Sequence, residues 1–441
     1  MKKFWIIVLI TGLCQFAYPQ EKMDLTLNQA ISLALQNNNN YLISQQGVKQ
    51  SKYRVMQNMG FLPQVTLGGS KNLDEKLMVL EMPPMVPGGE PQRITLDFTK
   101  DYEFTLQIVQ PVFTGGKIWH AFRNARLDLK ISREKERNTR DEVTLNVKKV
   151  FNNILVLEEL LKAHQEVLDL AENNYKNVKE RFELGMVSQY DLLRAELTAS
   201  AIKPNILNAR KMLELSLFNL KIMLALPEST ELNIQGKLSY DRHDLEVSEF
   251  IQRALQNRSE IKQMEMEAKK VNNLLKIAYA QFVPDFSIIA SYSYRSDLLK
   301  LRKDNWEDFY TINLGISFPI FTGLKRSGQV GELRVMKKMM KLRVKELDDA
   351  TRLQVQNLVL TIGQEYENIL TGEKNTETAQ EGVRIAELNY QEGMISILEL
   401  NASYNELTQA KVAYLQAVYN YSIALAGLEK ISGVQINGGQ R

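Results

Sequence analysis

Histidines are the first side chains to consider for enzyme or metal chemistry, because imidazole serves both as a general base and as a metal ligand. The sequence has three, His120, His164 and His243, and they are far apart along the chain. His164 also falls on a regularly spaced apolar stripe, where a buried structural histidine is the better interpretation than a ligand. No His-Glu-x-x-His sequence is present, so the spacing of a zinc protease is absent. These positions predict no metal site and no catalytic histidine.

The sequence has one stretch that resembles a phosphate-binding loop and one cysteine. Gly115-Gly116-Lys117 resembles the end of a phosphate loop, but the upstream glycine and the following Ser or Thr are missing. The only cysteine, Cys14, lies near an apolar N-terminal run. Carboxylates are numerous, but on helices they are usually solvated. We therefore expect no enzyme, no catalytic residue and no cofactor, and we assign the two glycines to a turn.

The composition is that of a folded protein without a marked charge. The 441 residues are 44% hydrophobic and 24% charged, with a net charge of +3. These values argue against disorder and give no reason to expect a nucleic-acid partner. The length suits two or three ordinary domains or one large architecture.

The N-terminus predicts export. Lys2 and Lys3 precede an apolar run from Phe4 to Leu13, which is too short to span a bilayer as a helix. We predict a signal peptide at residues 1–20. Lipidation of Cys14 is the alternative, although Leu13 stands where a small residue is preferred. No second long apolar run follows, so an exported chain of this kind is either soluble or crosses a membrane as β-strands.

The sequence repeats itself. Ala34-Leu35-Gln36-Asn37 returns as Ala254-Leu255-Gln256-Asn257, and Phe61-Leu62-Pro63 returns as Phe282-Val283-Pro284. In both halves a helical stretch of about 20 residues separates the two sequences. We predict a first repeat at residues 21–226, a linker at 227–243, a second repeat at 244–432 and a C-terminal tail at 433–441.

Each half then alternates apolar and polar residues with a period of two, which predicts two strands per half with one apolar face. The predicted strands are 65–72, 102–108, 285–294 and 309–318. About ten residues is the length that a tilted strand needs to cross a bilayer. Residues 73–100 contain four prolines and two glycines, and we predict a long loop there.

Strand-to-helix corners follow in both halves, as Pro111-Val112-Phe113-Thr114-Gly115-Gly116-Lys117 and Pro319-Ile320-Phe321-Thr322-Gly323-Leu324-Lys325. We expect the prolines to end the strands and the glycines to turn the chain into a helix. The corner positions in this prediction are Pro111, Gly115, Gly116, Pro319 and Gly323.

Two very long helices are predicted after these corners, at 118–184 and about 327–392. Apolar residues recur there at alternating steps of three and four, which specifies antiparallel coiled-coil packing rather than an isolated helix. About 65 residues would form a rod of roughly 100 Å. Each helix ends at a tip with the pattern Gly-Met-x-Ser, where glycine ends one helix and serine caps the next.

Four strands of bilayer length cannot close a membrane barrel alone, because the smallest known barrels have eight strands. Such a chain must share a barrel with copies of itself, so two copies would give eight strands and three would give twelve.

The duplicated order, the Pro-aromatic-Gly corners and the Gly-x-x-Ser tips resemble the outer membrane efflux protein family, the TolC-like channels. The resemblance covers about residues 22 to 432. It implies a homotrimer in the outer membrane of a Gram-negative bacterium, with a twelve-strand barrel and a long helical tunnel in the periplasm. It further implies a periplasmic adaptor (a membrane fusion protein) and an inner-membrane pump as partners, and no catalysis.

By the same resemblance the tips contact the adaptor, while mere helix capping remains the alternative. A pore gate at this end is implied at Tyr390 and Glu399, although Ile395 and Ala402 occupy the places of the family's gate arginine and second aspartate. Tyr390 could equally be an ordinary residue of the apolar seam, and Glu399 an ordinary first-turn acid. The tip positions are Gly185, Met186, Val187, Ser188, Gly393, Met394, Ile395 and Ser396.

The predicted fold class is mainly α with β. Long antiparallel helical hairpins form a periplasmic α-barrel, and four strands join the trimeric outer-membrane β-barrel. The predicted function is the exit duct of a tripartite efflux or type I secretion system. The alternative is a periplasmic coiled-coil adaptor or structural protein of an export complex, for which one hairpin and shorter strands would be typical.

Overall fold

The structure is a computed structural model that describes residues 22–73, 78–84, 91–96, 100–299 and 306–436. The predicted signal peptide with Cys14 and the last five residues of the predicted tail lie outside the described residues. The helices are α1 Leu27–Asn37, α2 Asn39–Gln57, α3 Lys117–Glu183, α4 Gln189–Leu224, α5 Val247–Asn257, α6 Ser259–Ala280, α7 Lys325–Gln391 and α8 Ile397–Ser432. The strands are β1 Lys22–Leu25, β2 Gln64–Lys71, β3 Met78–Met82, β4 Gln92–Leu96, β5 Tyr102–Phe113, β6 Glu231–Ile234, β7 Asp285–Ser296 and β8 Glu307–Ser317.

The duplication is confirmed in the lengths of the elements. Helices α3 and α7 have 67 residues each, α4 and α8 have 36, and α1 and α5 have 11. Lys117 and Lys325 begin the two long helices, so each position of the first hairpin has its equivalent 208 residues later. The predicted ends of the long helices were correct to within two residues.

A four-stranded antiparallel sheet has the order β2-β5-β7-β8, so that β5 of the first half pairs with β7 of the second. The register places Ile108 opposite Ala290, and Ala290 opposite Ile312. This face is apolar and uncovered, with Leu67 and Ile312 exposed to 75% and 70%. In the described part of the chain, β2 and β8 each have one unpaired edge.

Polar side chains cover the other face of the same sheet. The Thr105 and Ser293 hydroxyls lie 2.9 Å apart, and those of Ser291 and Thr311 lie 2.8 Å apart. The Arg295 guanidinium donates a 3.0 Å hydrogen bond to the Glu103 carboxylate. The sheet is therefore two-sided, with one polar and one apolar surface.

Two strand pairs were not predicted. Strands β3 and β4 pair antiparallel within residues 78–96, so the stretch predicted as a long loop holds a hairpin. Strand β6 lies in the predicted linker and pairs in parallel with β1 at the start of the first repeat. Each of these strands has only four or five residues, too few to show a clear period of two.

The prediction that Pro111 ends its strand was wrong. Strand β5 continues through Pro111 to Phe113, and a shift in register lies between these two residues. A bulge of this kind accommodates proline, which cannot donate a ladder hydrogen bond. In the second half β8 ends at Ser317, before Pro319, as predicted.

The chain has two compact units, each built from both repeats. Of the described residues, one unit comprises those within 22–44, 137–258 and 349–436, and the other comprises those within 45–136 and 259–348. The first contains most of the long helices and the tips, and the second contains the sheet and the corners.

The helical unit has equivalent cores in both repeats. Val147 and Ile154 of α3 are buried with Leu220 of α4, and Val355 and Ile362 of α7 are buried with Leu428 of α8. The alternating apolar stripe is thus the packing surface that the sequence predicted. None of the helices in the described residues combines the length and the hydropathy that a membrane-spanning helix requires.

Candidate functional site

Both hairpin tips have the same turn. At the first tip (Gly185–Ser188) the Gly185 N–H donates to Phe182 O at 2.9 Å, and the Met186 N–H donates to Arg181 O at 2.9 Å. At the second tip (Gly393–Ser396) the equivalent bonds measure 3.1 and 2.8 Å. Gly185 and Gly393 have φ angles of +73° and +76°, which glycine adopts without a steric penalty.

The capping predicted at both tips is present. The Ser188 hydroxyl accepts a hydrogen bond from the Asp191 N–H at 3.1 Å, and the Asp191 carboxylate accepts from the Ser188 N–H at 3.3 Å. Ser396 and Glu399 form the same reciprocal pair, at 3.3 and 2.7 Å. Each carboxylate thus satisfies backbone groups that the helix itself leaves without partners.

The tips also expose methionine. Met186 and Met394 are both 67% exposed. Val187 and Ile395 are partly buried and pack on the cluster beneath, which contains Ile397. The turns therefore present a flexible thioether on a rigid, capped frame.

Tyr390 lies in the cluster beneath the tips, with a side chain that is 9% exposed. Its hydroxyl is buried and has no hydrogen-bond partner among the described residues. Burial and the nearby Asp191 carboxylate raise the pKa of Tyr390, and the cation of Arg181 acts in the opposite direction. A buried hydroxyl without a hydrogen-bond partner lowers the stability of the folded state. The hydrogen bonding beneath the tips is therefore incomplete at Tyr390.

Arg181 is a residue that the sequence analysis missed. It lies in the last turn of α3, and its guanidinium donates a 3.2 Å hydrogen bond to the backbone carbonyl of Gln391, at the end of α7. The bond connects the ends of the two long helices. The sequence did contain one indication of this role, because Arg181 is a basic residue in the last turn of a helix beside a predicted tip.

Glu399 is exposed, and its carboxylate is used as the helix cap described above. Hydrogen bonds from the Ser396 backbone and hydroxyl hold the pKa of Glu399 below its usual value. Glu399 is therefore ionised at neutral pH and adds negative charge at the second tip.

The corners share positive φ angles at two equivalent positions but have different residues there. In the first corner (Pro111–Lys117) Gly115 and Gly116 have φ angles of +60° and +86°. In the second corner (Pro319–Lys325) the equivalent residues are Gly323 at +62° and Leu324 at +63°. Leucine in the left-handed region is unusual and costs about 1–2 kcal/mol.

The surroundings of the corners differ more than their backbones. A Cβ atom at Gly115 would lie 3.0 Å from Ala280 O and 3.3 Å from Val283 Cβ. A Cβ atom at Gly323 would have no other atom within 4 Å. Lys117 also pairs with Asp285 at 2.6 Å. The first corner is packed on the end of α6 of the other repeat, and the second corner is open on the equivalent side.

His120 and His164 both lie in α3, far apart along the helix, and His243 lies between β6 and α5. His164 is 9% exposed within α3, and burial lowers its pKa. Burial and the charges of Lys276 and Arg123 lower the pKa of His120. Within the described ranges no group of three or more His, Cys, Asp or Glu residues is arranged to hold a metal ion.

Comparison with known proteins gives one family. The model of the outer membrane efflux protein family matches residues 30–225 and again 250–434. The two matches fall on the two repeats. No curated protein sequence matches the chain significantly.

Solved structures share the fold at low sequence identity. CusC has 16% identity and a TM-score of 0.78, and the alignment covers 92% of this chain and 92% of CusC. The CmeC outer membrane channel of Campylobacter jejuni has 18% identity and a TM-score of 0.78, with 93% and 87% covered. VceC of Vibrio cholerae has 16% identity and a TM-score of 0.78, with 93% and 97% covered.

The family match extends over most of the chain, and the fold repeats its features twice. It decides between the two functions that the sequence left open, in favour of the channel and against a periplasmic adaptor. The chain belongs to the outer membrane efflux protein family.

Proposed function

We propose that the chain is the subunit of a homotrimeric exit duct, which takes substrates from an inner-membrane pump and a periplasmic adaptor to the exterior. The observation that carries this proposal is the sheet with one exposed apolar face and two unpaired edges. Strands β5, β7 and β8 have 12, 12 and 11 residues, enough to cross a bilayer when tilted. An open edge of this length in a membrane requires a partner strand.

The pairing of strands within the chain predicts which strand of a neighbouring copy that partner is. Strand β5 of the first repeat pairs with β7 of the second, so β8 is expected to pair with β2 of a neighbouring copy. In the β5–β7 register Ile108 lies opposite Ala290. Their repeat equivalents, three residues before Pro319 and six after Pro63, are Ile316 and Gly69. Both lie on the apolar sides of their strands, so the pairing would continue the same two faces around a closed barrel.

A side-chain contact between α3 and α6 predicts a contact between subunits in the same way. Within the chain, Asn124 of α3 accepts a 2.9 Å hydrogen bond from Asn273 of α6. The equivalents are Glu332 and Lys52, which are exposed and have opposite charges. They would form an ion pair between neighbouring subunits. With three copies the shared barrel would have twelve strands.

We assign adaptor binding to the two tips. This assignment is supported by Met186 and Met394, which are both exposed on capped turns. Exposed methionines suit adaptable protein contacts. Met186→Glu with Met394→Glu is expected to abolish efflux in cells while the purified protein keeps its oligomeric mass. Met212→Glu, on α4 away from the tips, is the control. Loss of the oligomer in the double variant would contradict a docking role.

We assign the gate to the layer beneath the tips. Arg181 bonds to the end of α7, and Tyr390 lies buried beside it with the charge of Asp191 nearby. Because Ile395 cannot supply a cation, Arg181 from the first hairpin is the proposed replacement for the family's gate arginine. Glu399 is proposed to contribute negative charge at the pore entrance, and no step of the transport requires catalysis by this chain.

The gate proposal is tested by conductance in planar bilayers. Arg181→Gln is expected to raise the single-channel conductance or the open time, because it removes the cation between the helix ends. Lys179→Gln removes the same charge two residues earlier on α3 and should leave conductance unchanged. Equal conductance in wild type and Arg181→Gln would exclude Arg181 from the gate.

The duct itself is tested by the mass of the purified protein after subtraction of detergent. Three copies per particle, with an ion-conducting pore in planar bilayers, are expected. A monomer that needs no detergent would contradict the proposed duct.

A further inference from the structure

A groove of about 360 Å³ lies at the first corner and is lined mainly by apolar side chains. Its exposed walls include Val112 and Trp119, which are 58% and 50% exposed in the chain. Phe113, another wall, contacts Phe286 of the apolar sheet face with ring centroids 6.0 Å apart. The groove therefore continues the apolar face at the helical end of the strands. Its lining is Phe61, Pro111, Val112, Phe113, Thr114, Gly116, Ile118 and Trp119.

A second pocket, of about 320 Å³, lies further along α3 and is cationic. Arg123, Arg126 and Lys130 line it from α3 and Lys269 lines it from α6, together with Leu127 and Asn273. No carboxylate belongs to this lining. Within the described part of the chain, none of these four cations forms an ion pair, although the adjacent Lys270 pairs with Asp128 at 2.6 Å.

Arg123 joins the groove to the cationic pocket. Its guanidinium carbon lies 5.2 Å from the ring centroid of Trp119, so it sits on the groove wall and lines the pocket as well. Arg126 is held in the same way on Phe122, at 5.9 Å. One turn of helix, about 6 Å, separates Trp119 from Arg123. An apolar slot is thus followed along α3 by a cluster of positive charge. This order matches the change from hydrocarbon to headgroups in a membrane.

We propose that this composite site binds an anionic glycerophospholipid of the periplasmic leaflet. An acyl chain would occupy the corner groove, and the headgroup phosphate would lie in the cationic pocket against Arg123 and Arg126. The inference rests on the membrane orientation of the proposed duct. A lipid is the occupant that matches both halves of the site, since a free anion would use only the cations and an uncharged apolar partner only the groove.

The second repeat supplies an internal control. The equivalents of Trp119 and Arg123 are Ser327 and Gly331. The equivalent of Arg126 is Arg334, which donates hydrogen bonds of 2.9 and 2.8 Å to the Tyr279 hydroxyl. The second corner therefore lacks both the aromatic wall and the free arginine. One lipid per subunit is expected, at the first corner only.

The test is native mass spectrometry of the detergent-purified oligomer, titrated with dioleoylphosphatidylglycerol, dioleoylphosphatidylcholine or inorganic phosphate. Wild type should bind the anionic lipid about tenfold more tightly than the zwitterionic one. The double variant Arg123→Gln, Arg126→Gln should lose this preference, and Trp119→Ala should weaken both lipids. The control Arg343→Gln, Lys345→Gln removes the same charge from exposed positions of α7 and should keep the preference.

Three results would overturn the site. Equal affinity for the two lipids in wild type would exclude the cationic pocket, and phosphate binding as tight as the anionic lipid would exclude the groove. Dissociation of the oligomer by Trp119→Ala, with lipid binding unchanged, would assign the groove to a second copy of the chain. An intact trimer without lipid preference would refute this inference alone and leave the proposed duct standing.

Discussion

The first corner is packed against another part of the chain, whereas the equivalent side of the second corner has no such contact. Gly115 and Gly323 have nearly the same φ, +60° and +62°. Gly115 is packed against Ala280 and Val283, whereas Gly323 faces open space within the chain. Local sequence sets the positive φ of this glycine in both cases, and the difference in packing comes from what lies next to it.

The comparison indicates what the open corner lacks. The first corner packs on the end of α6 and pairs Lys117 with Asp285. The equivalent surface for the second corner is the end of α2, with Met59 and Gln64 in the places of Ala280 and Asp285. That surface belongs to the first repeat, and we propose that a neighbouring copy provides it.

The largest expected effect is that of a methyl group at the packed corner. Gly115→Ala adds a Cβ 3.0 Å from a backbone oxygen. We expect the combined strain and crowding to lower the free energy of unfolding by about 2–3 kcal/mol. Gly323→Ala should cost only about 1 kcal/mol in a dissociated chain, through its positive φ. Thermal unfolding in detergent compares the two, and equal losses in the monomer would contradict the described difference in packing.

The ion pair at the packed corner should have a smaller effect. Lys117→Gln removes the 2.6 Å contact between Lys117 and Asp285. The Lys117 side chain is 26% exposed and that of Asp285 is 37% exposed. A partly solvated pair of this kind stabilises by about 1 kcal/mol or less. The loss should vanish in the background Asp285→Asn, so a double-mutant cycle measures it. Additive effects of the two substitutions would show that the pair contributes nothing.

A gain is expected at the open corner from Leu324→Gly. Leu324 has a φ of +63° and is 75% exposed. Glycine relieves the left-handed strain but is more flexible when unfolded, so the net stabilisation should be about 0.5 kcal/mol. The reverse change, Gly116→Leu, should destabilise the first corner. A lower unfolding temperature for Leu324→Gly would mean that the leucine side chain contributes more than the strain costs.

The smallest effect should come from building the missing ion pair between subunits. Gln64→Asp would place a carboxylate opposite Lys325 of a neighbouring chain, as Asp285 lies opposite Lys117. A gain of about 0.3 kcal/mol per contact is expected, visible as a slower dissociation of the oligomer in dilute detergent. Gln64→Asn is the uncharged control, and equal dissociation rates would argue against this contact between subunits.

Local patterns carried most of the fold. The long helices follow from an apolar stripe sustained over many turns, and both tips follow from glycine and serine at fixed positions. The main strands alternate over about ten residues, which is enough to define their faces. Pairing of β1 with β6 was missed because 209 residues separate Asp24 from its partner Asn233, and nothing in either short strand identifies the other.

The candidate site was only partly accessible to sequence reasoning. The tip residues could be placed, because their conformation is local. The bond from Arg181 to Gln391 could not, since it joins the ends of two different hairpins. Nor could the buried, unpartnered hydroxyl of Tyr390, which depends on how the helices beneath the tips pack. The bulge that carries β5 past Pro111 likewise depends on its pairing with β7.

Covalent cross-linking across the proposed subunit contact tests the central claim most directly. In a Cys14→Ser background, Lys52→Cys with Glu332→Cys should give covalent trimers on a denaturing gel after treatment with a short bis-maleimide. Asn124→Cys with Asn273→Cys, the equivalent pair within one chain, should cross-link internally and migrate as a monomer. Covalent trimers from the first pair alone would establish that the second repeat of one copy packs on the first repeat of the next. Monomers from both pairs would contradict the account.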